Sequence, residues 1–169
     1  MTQRSVNIHA TCIVLADAAR AFHAPAALGV LLLGASGAGK SDLALRLIER
    51  GAKLVADDRC ELFVADGRLR ARAPAALAGL IELHGVGLVA LPFAEDAPIG
   101  LAVRLAVGEN PVRLPERQYW DPPDELRPPR AARPPLISLS AFAASAPAKV
   151  VAASAAFAQA LFREQINPI

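Results

Sequence analysis

Gly34-Ala35-Ser36-Gly37-Ala38-Gly39-Lys40-Ser41 spells G-x-x-x-x-G-K-[ST], and the fold turns on how this octapeptide is read. Glycine permits backbone conformations that a Cβ forbids, so the loop can curl until successive amide hydrogens converge on an anion at the start of a helix. Lys40 then reaches the β and γ phosphates, and the Ser41 hydroxyl can ligate Mg2+. The same spelling arises in glycine turns that bind nothing, so the flanks decide. Leu28-Gly29-Val30-Leu31-Leu32-Leu33 is a short continuous apolar run, as a buried strand requires. Asp42 to Arg50 follows with Leu43, Leu47 and Ile48 on one helical face, and Gly51 stands where a C-cap glycine belongs. Strand, glycine loop and capped helix stand in the required order, which predicts binding of a nucleotide or polyphosphate.

A chain of 169 residues can build one domain with a real core, and one domain is expected. Hydrophobic residues at 54% against 20% charged exclude a globally disordered chain. No apolar run approaches membrane-spanning length, and the N-terminus lacks a basic segment followed by a hydrophobic signal core. The expectation is a cytoplasmic protein with no membrane contact. The 18 basic and 16 acidic residues are interspersed, leaving no basic stripe for nucleic acid. Cys12 and Cys60 have no C-x-x-C or Cys/His cluster around them and read as small buried hydrophobes.

Val6 to Leu15 reads as a strand, with Ile8, Ala10 and Cys12 on one face and His9, Thr11 and Ile13 on the other. Asp17 to Ala27 reads as a loop with a short helical turn. Ala52 to Ala56 is a predicted strand, and Asp66-Gly67 predicts a hairpin between Glu61–Ala65 and Arg68–Arg72, because both turn positions tolerate positive φ. Gly79 to Val89 reads as one strand with a bend, and Leu101 to Val107 as another strand. Between Gly108 and Pro135 stand eight of the chain's 14 prolines and its only Tyr and Trp, an irregular segment of a length usually reserved for function or disorder. Lys149 to Glu164 places Val150, Phe157 and Leu161 at helical spacing, predicting a final packed helix. The fold class expected is α/β: a P-loop domain with a mixed β-sheet flanked by helices.

Acids, bases and cations elsewhere must say what receives a phosphate. Asp57-Asp58 ends the strand Lys53-Leu54-Val55-Ala56, and ligand sites in α/β sheets gather at the carboxyl ends of strands. A carboxylate there can bind metal or accept the proton of an attacking hydroxyl; the alternative is a pair of turn aspartates. Glu82 is acidic within an apolar stretch, where a metal would partner it if buried, and a solvent-facing position is the other reading. His9 fits a proton carrier, a phosphate ligand or a structural histidine. Arg113, one of five arginines in the proline-rich segment, could bring a mobile cation to a transferring phosphoryl group.

The order Ile8-His9-Ala10, the glycine loop, Leu43 to Gly51, Leu54-Val55-Ala56-Asp57-Asp58 and Ile81-Glu82-Leu83-His84-Gly85-Val86-Gly87 resembles the catalytic domain of HPr kinase/phosphorylase. R-G-x-x-L-V-A-D-D directly after the helix, followed by L-E-x-x-G-x-G, is far more specific than the loop. The resemblance covers roughly residues 5 to 115, with a weaker stretch at Ser145 to Lys149. It implies an ATP-dependent kinase acting on a serine of the small phosphocarrier HPr or a nitrogen-system paralogue. It further implies reverse phosphorolysis releasing pyrophosphate, a hexamer, and a fold similar to the nucleotide domain of phosphoenolpyruvate carboxykinase.

By the same resemblance, Asp58 is the general base, Lys40 clamps phosphates through the loop Gly34, Ala35, Ser36, Gly37, Ala38, Gly39 and Ser41, and Mg2+ sits at Ser41 and Glu82, with Asp57 beside them. His9 joins the catalytic set, and Arg113 in Val112-Arg113-Leu114-Pro115 aligns with an active-site arginine. The resemblance leads to the expectation of a short form of the family without an N-terminal domain, and the chain departs from the family in carrying His84 where an arginine is usual. Ser145-Ala146-Pro147-Ala148-Lys149 replaces an arginine- and proline-rich loop linked to dephosphorylation. Two other functions fit the same residues: a catalytically reduced nucleotide-sensing module, or a small-molecule kinase.

Overall fold

The computed structural model describes residues 4–108, 111–126, 128–129 and 132–162. A central strand, β3 (Gly29–Leu33), runs into the glycine loop and α1 (Lys40–Ile48). Its apolar run is continuous because both faces are covered: Val30 and Leu32 enter one core while Leu31 enters another. Leu43, Ala44 and Leu47 bury the inner face of α1. Gly51, at φ 97°, ends the helix as its spacing predicts, and its amide donates to the Ile48 carbonyl at 2.9 Å.

Around β3 the strands β1 (Ser5–His9), β2 (Thr11–Val14), β4 (Lys53–Ala56), β5 (Arg59–Ala65), β6 (Arg68–Arg72) and β9 (Asp96–Leu105) form one sheet in the order β1-β5-β6-β9-β3-β2-β4. β9 is long enough to serve two neighbours on one edge. Its first residues, Asp96 to Pro98, pair antiparallel with β6, while Ala102 to Leu105 pair parallel with β11 (Pro135–Leu139). Its other edge runs parallel to β3. The result is a curled mixed sheet, the α/β class expected.

One core lies between the sheet, α1, α2 (Ala146–Ala158) and a 3-10 helix over Ala16–Phe22. The second lies on the opposite face, among Cys12, Val14, Leu31, Val55, Cys60, Leu62 and Leu69. Leu126 from the proline-rich segment is buried in it and Trp120 packs against it. The described residues of that segment are irregular as expected, apart from the short β10 (Gln118–Tyr119) paired with β11, but part of it is structural cover. The hairpin at Asp66-Gly67 forms as predicted, with φ of 51° and 69°.

Three expectations are corrected. Val6 to Leu15 is two strands: β1 pairs with β5, and after Ala10 the chain crosses so that β2 pairs with β3 and β4. Alternation records which face a side chain takes, not which strand hydrogen-bonds beside it, so the crossing is silent in the pattern. Gly79 to Val89 is a hairpin of β7 (Leu80–Leu83) and β8 (Gly87–Ala90) in a separate two-stranded sheet. Gly85 and Gly87, at φ 80° and 114°, let the chain reverse rather than bend. The last helix begins earlier than Lys149 because Pro147 suits a first helical turn. It ends by Ala158, so Leu161 lies beyond it and exposed, while Arg163 and Glu164 fall outside the described residues.

Candidate active site

β3, β9, β11 and β4 all point the same way, because β2 is antiparallel to both β3 and β4. Their carboxyl ends therefore deliver the glycine loop, Asp57-Asp58 and the turn after β11 to one edge of the sheet, where the start of β2 also arrives. A cleft of about 560 Å³ opens there, lined by His9, Thr11, Ser36, Gly37, Gly39 to Asp42, Asp57, Asp58, Glu82, His84, Val86 and Phe142. A second cavity of about 380 Å³ sits among Pro25, Leu28, Pro98 and Pro135, away from these groups.

Gly39 is the residue the loop can least replace. Its φ is 89°, and a Cβ there would stand 2.7 Å from the Cβ of Ala141. Lys40 is 7% exposed, and its Nζ donates to the carbonyls of Gly34 and Ala35 at 2.9 Å each, which holds the ammonium over the loop. Burial lowers its pKa from the ordinary lysine value, opposed by the charges of Asp57 and Asp58.

The adjacent aspartates have opposite environments. Asp57 is 4% exposed and its oxygens are occupied: Oδ1 accepts from Thr11 Oγ1 at 2.7 Å and Ser41 Oγ at 2.8 Å, and Oδ2 accepts from the Glu82 amide at 3.0 Å. It ties the first strand of the site, the loop and β7 together. The Asp58 side chain is 62% exposed, with Oδ1 3.3 Å from His9 Nε2 and Oδ2 3.7 Å from Arg59 Nε. A φ of 61°, unusual for a residue with a Cβ, turns the backbone between the two carboxylates.

Of the residues singled out in the sequence, His9, Ser36, Gly37, Gly39, Lys40, Ser41, Asp57, Asp58 and Glu82 line this cleft together. Gly34 and Ala35 reach it by accepting from Lys40, while Ala38 is buried beneath the loop. Glu82 is exposed, so its carboxylate does not need a metal to offset burial. Arg113 is exposed in the proline-rich segment and is not among the cleft residues. Sequence reasoning passed over three contributors. Thr11 carried a signal, since it shares the predicted strand face of His9; Phe142 and Arg46 carried none, because their role depends on a turn 95 to 97 residues from Arg46.

A Mg2+ ion fits this oxygen-rich donor set. Ser41 Oγ can donate to Asp57 while offering a lone pair to the ion, and Glu82 stands in the same cleft. Among the described residues no three His, Cys, Asp or Glu side chains form a metal cluster. Mg2+ bound through one or two protein oxygens and substrate phosphates needs none.

A sequence model of the family described as "HPr Serine kinase C-terminal domain" matches residues 24–94. Proteins named HPr kinase/phosphorylase are similar to part of the chain: that of Clostridium novyi is 45% identical over 65 residues, 38% of this chain and 21% of its own length. That of Leptothrix cholodnii is 45% identical over 87 residues, 51% of this chain and 23% of its own. The chain thus spans about a fifth of the length of the curated relatives it matches. The solved structure of the Hpr(Ser) kinase/phosphatase from Coxiella burnetii superposes with a TM-score of 0.66 at 22% identity, covering 86% of this chain and 91% of that one. At that identity the likeness establishes the fold.

Proposed function

From a chain that carries HPr serine kinase C-terminal domain sequence over residues 24–94, we propose an ATP-dependent serine kinase whose acceptor is a small phosphocarrier protein of the HPr type or its nitrogen-system paralogue. The observation that carries the reading is the division of labour between the two aspartates beside a complete phosphate loop. Asp57 is committed to three donors, so it organises the site; Asp58 is exposed and uncommitted enough to accept a serine hydroxyl proton.

The loop amides and Lys40 hold the β and γ phosphates. Ser41, with Glu82 nearby, would hold Mg2+, which would supply positive charge against that developing on the phosphates. Asp58 orients the acceptor hydroxyl and takes its proton as the oxygen attacks the γ phosphorus. His9, in contact with Asp58, steadies that carboxylate. In the reverse direction inorganic phosphate attacks the seryl phosphorus, the serine O–P bond breaks as Asp58 returns its proton to the departing serine oxygen, and the new P–O–P bond makes pyrophosphate. Arg113 would join only if the proline-rich segment moves over the cleft when an acceptor docks. The 169 residues act as one catalytic domain in this reading, in the cytoplasm where such phosphocarriers work, and the hexamer implied by the resemblance belongs to the same proposal.

Incubation of the purified protein with labelled ATP, Mg2+ and each phosphocarrier tests it. The expected result is label on a serine of one of them. ATP binding with no labelled phosphocarrier would leave the nucleotide site standing and remove the acceptor.

A further inference from the structure

We propose that Phe142 is the platform on which the nucleotide base stacks. The inference rests on the nucleotide reading of the cleft and adds the subsite that the phosphate loop cannot supply, since a loop of amides and one lysine recognises phosphate alone.

Phe142 follows β11, the third of three adjacent parallel strands, β3, β9 and β11, whose carboxyl ends face the cleft. Phe142 is 66% exposed, yet the residue before it, Ala141, is buried. The ring lies against the loop: Cζ is 3.0 Å from where a Cβ on Gly39 would stand. A nucleotide whose phosphates occupy the loop therefore has an aromatic face immediately beside it.

The turn is also braced. The Arg46 guanidinium donates to the carbonyls of Ala141 and of Ala143, the two neighbours of Phe142, and pairs with Asp42 on its own helix at 2.9 Å. The Ala143 amide closes the turn on the Ser140 carbonyl at 3.3 Å. An apolar ring left in water on a backbone fixed from both sides is arranged for a flat apolar ligand, and a purine is one. Stacking tolerates any base, so the platform supplies affinity for a nucleoside without reading its hydrogen-bonding edge.

Titration calorimetry of the full chain with Mg-ATP and with inorganic triphosphate separates the possibilities. Phe142→Ala should weaken Mg-ATP about 10-fold, within the range that loss of one base-aromatic stack gives. It should leave triphosphate affinity unchanged, and Phe142→Trp should restore ATP affinity. Unchanged ATP affinity in Phe142→Ala would assign the ring to another partner and overturn the platform. An equal fall for both ligands would mean the ring acts through Gly39 and the loop, which also overturns it. A wild-type protein that binds triphosphate but gains nothing from the nucleoside removes the platform alone; one that binds neither ligand removes the phosphate site and the platform with it.

Discussion

Asp57 and Asp58 are neighbours in the chain and opposites in chemistry. Three donors converge on Asp57, so removing its charge would strand two hydroxyls and an amide, whereas Asp58 meets His9 and Arg59 at the solvent edge. In the proposed mechanism the proton acceptor is the side chain that is not already holding the site together. Asp58→Asn keeps the shape and removes the basicity. We predict that it binds ATP as the wild type does while phosphoryl transfer falls by about 10²- to 10⁴-fold, the usual share of general-base catalysis. A fully active Asp58→Asn protein, measured with labelled ATP and the acceptor, would show the base to be elsewhere.

At the scale of elements, the proline-rich segment divides into parts with separate duties. From residue 111 to Tyr119 the segment is exposed, with Val112, Leu114 and Tyr119 open to solvent. Further on, Trp120 and Leu126 close the second core, and the Arg4 guanidinium reaches the Glu125 carbonyl at 3.2 Å. Prolines here limit the unfolded chain's freedom as well as excluding it from the sheet. Leu126→Ala should therefore destabilise the fold by roughly 2–3 kcal/mol, as a buried leucine truncation does, read as a lower urea midpoint. An unchanged midpoint would mean that the segment covers the core without stabilising it. The β7–β8 hairpin illustrates the same scale. Its glycine-rich turn carries His84 and Val86 into the cleft, which a single bent strand could not do.

At the scale of the whole molecule, both cysteines lie in the second core, remote from solvent. Burial, with Cys60 nearby, raises the Cys12 thiol pKa well above its ordinary value; burial, and then the charge of Asp57, does the same to Cys60. Folded thiols thus hold protons that unfolded thiols release, so they contribute stability below the ordinary thiol pKa of about 8.5 that is lost as pH rises beyond it. In native buffer near neutral pH, a thiol reagent should label neither cysteine faster than the protein unfolds, and should label both at once in urea. Prompt stoichiometric labelling of the native protein would contradict this burial. No helix among the described residues is long and apolar enough to cross a membrane.

The octapeptide from Gly34 to Ser41, its strand and its helix were legible because each follows from local chemistry: glycine freedom, an apolar run, and leucines at helical spacing. The Asp66-Gly67 turn was legible for the same reason. What the residues could not disclose alone is anything that depends on a partner distant in the chain. The exchange of neighbours at Ala10, the insertion of Leu126 into a core and the bracing of Phe142 by Arg46 all arise from contacts that no period records. By itself the sequence determined the strand, the glycine loop and the start of α1, since that geometry is built from consecutive residues. Only the tertiary structure decided which aspartate is buried and which is open, because burial and hydrogen-bond partners are properties of packed strands, and they fall on Asp57 while leaving Asp58 to the solvent.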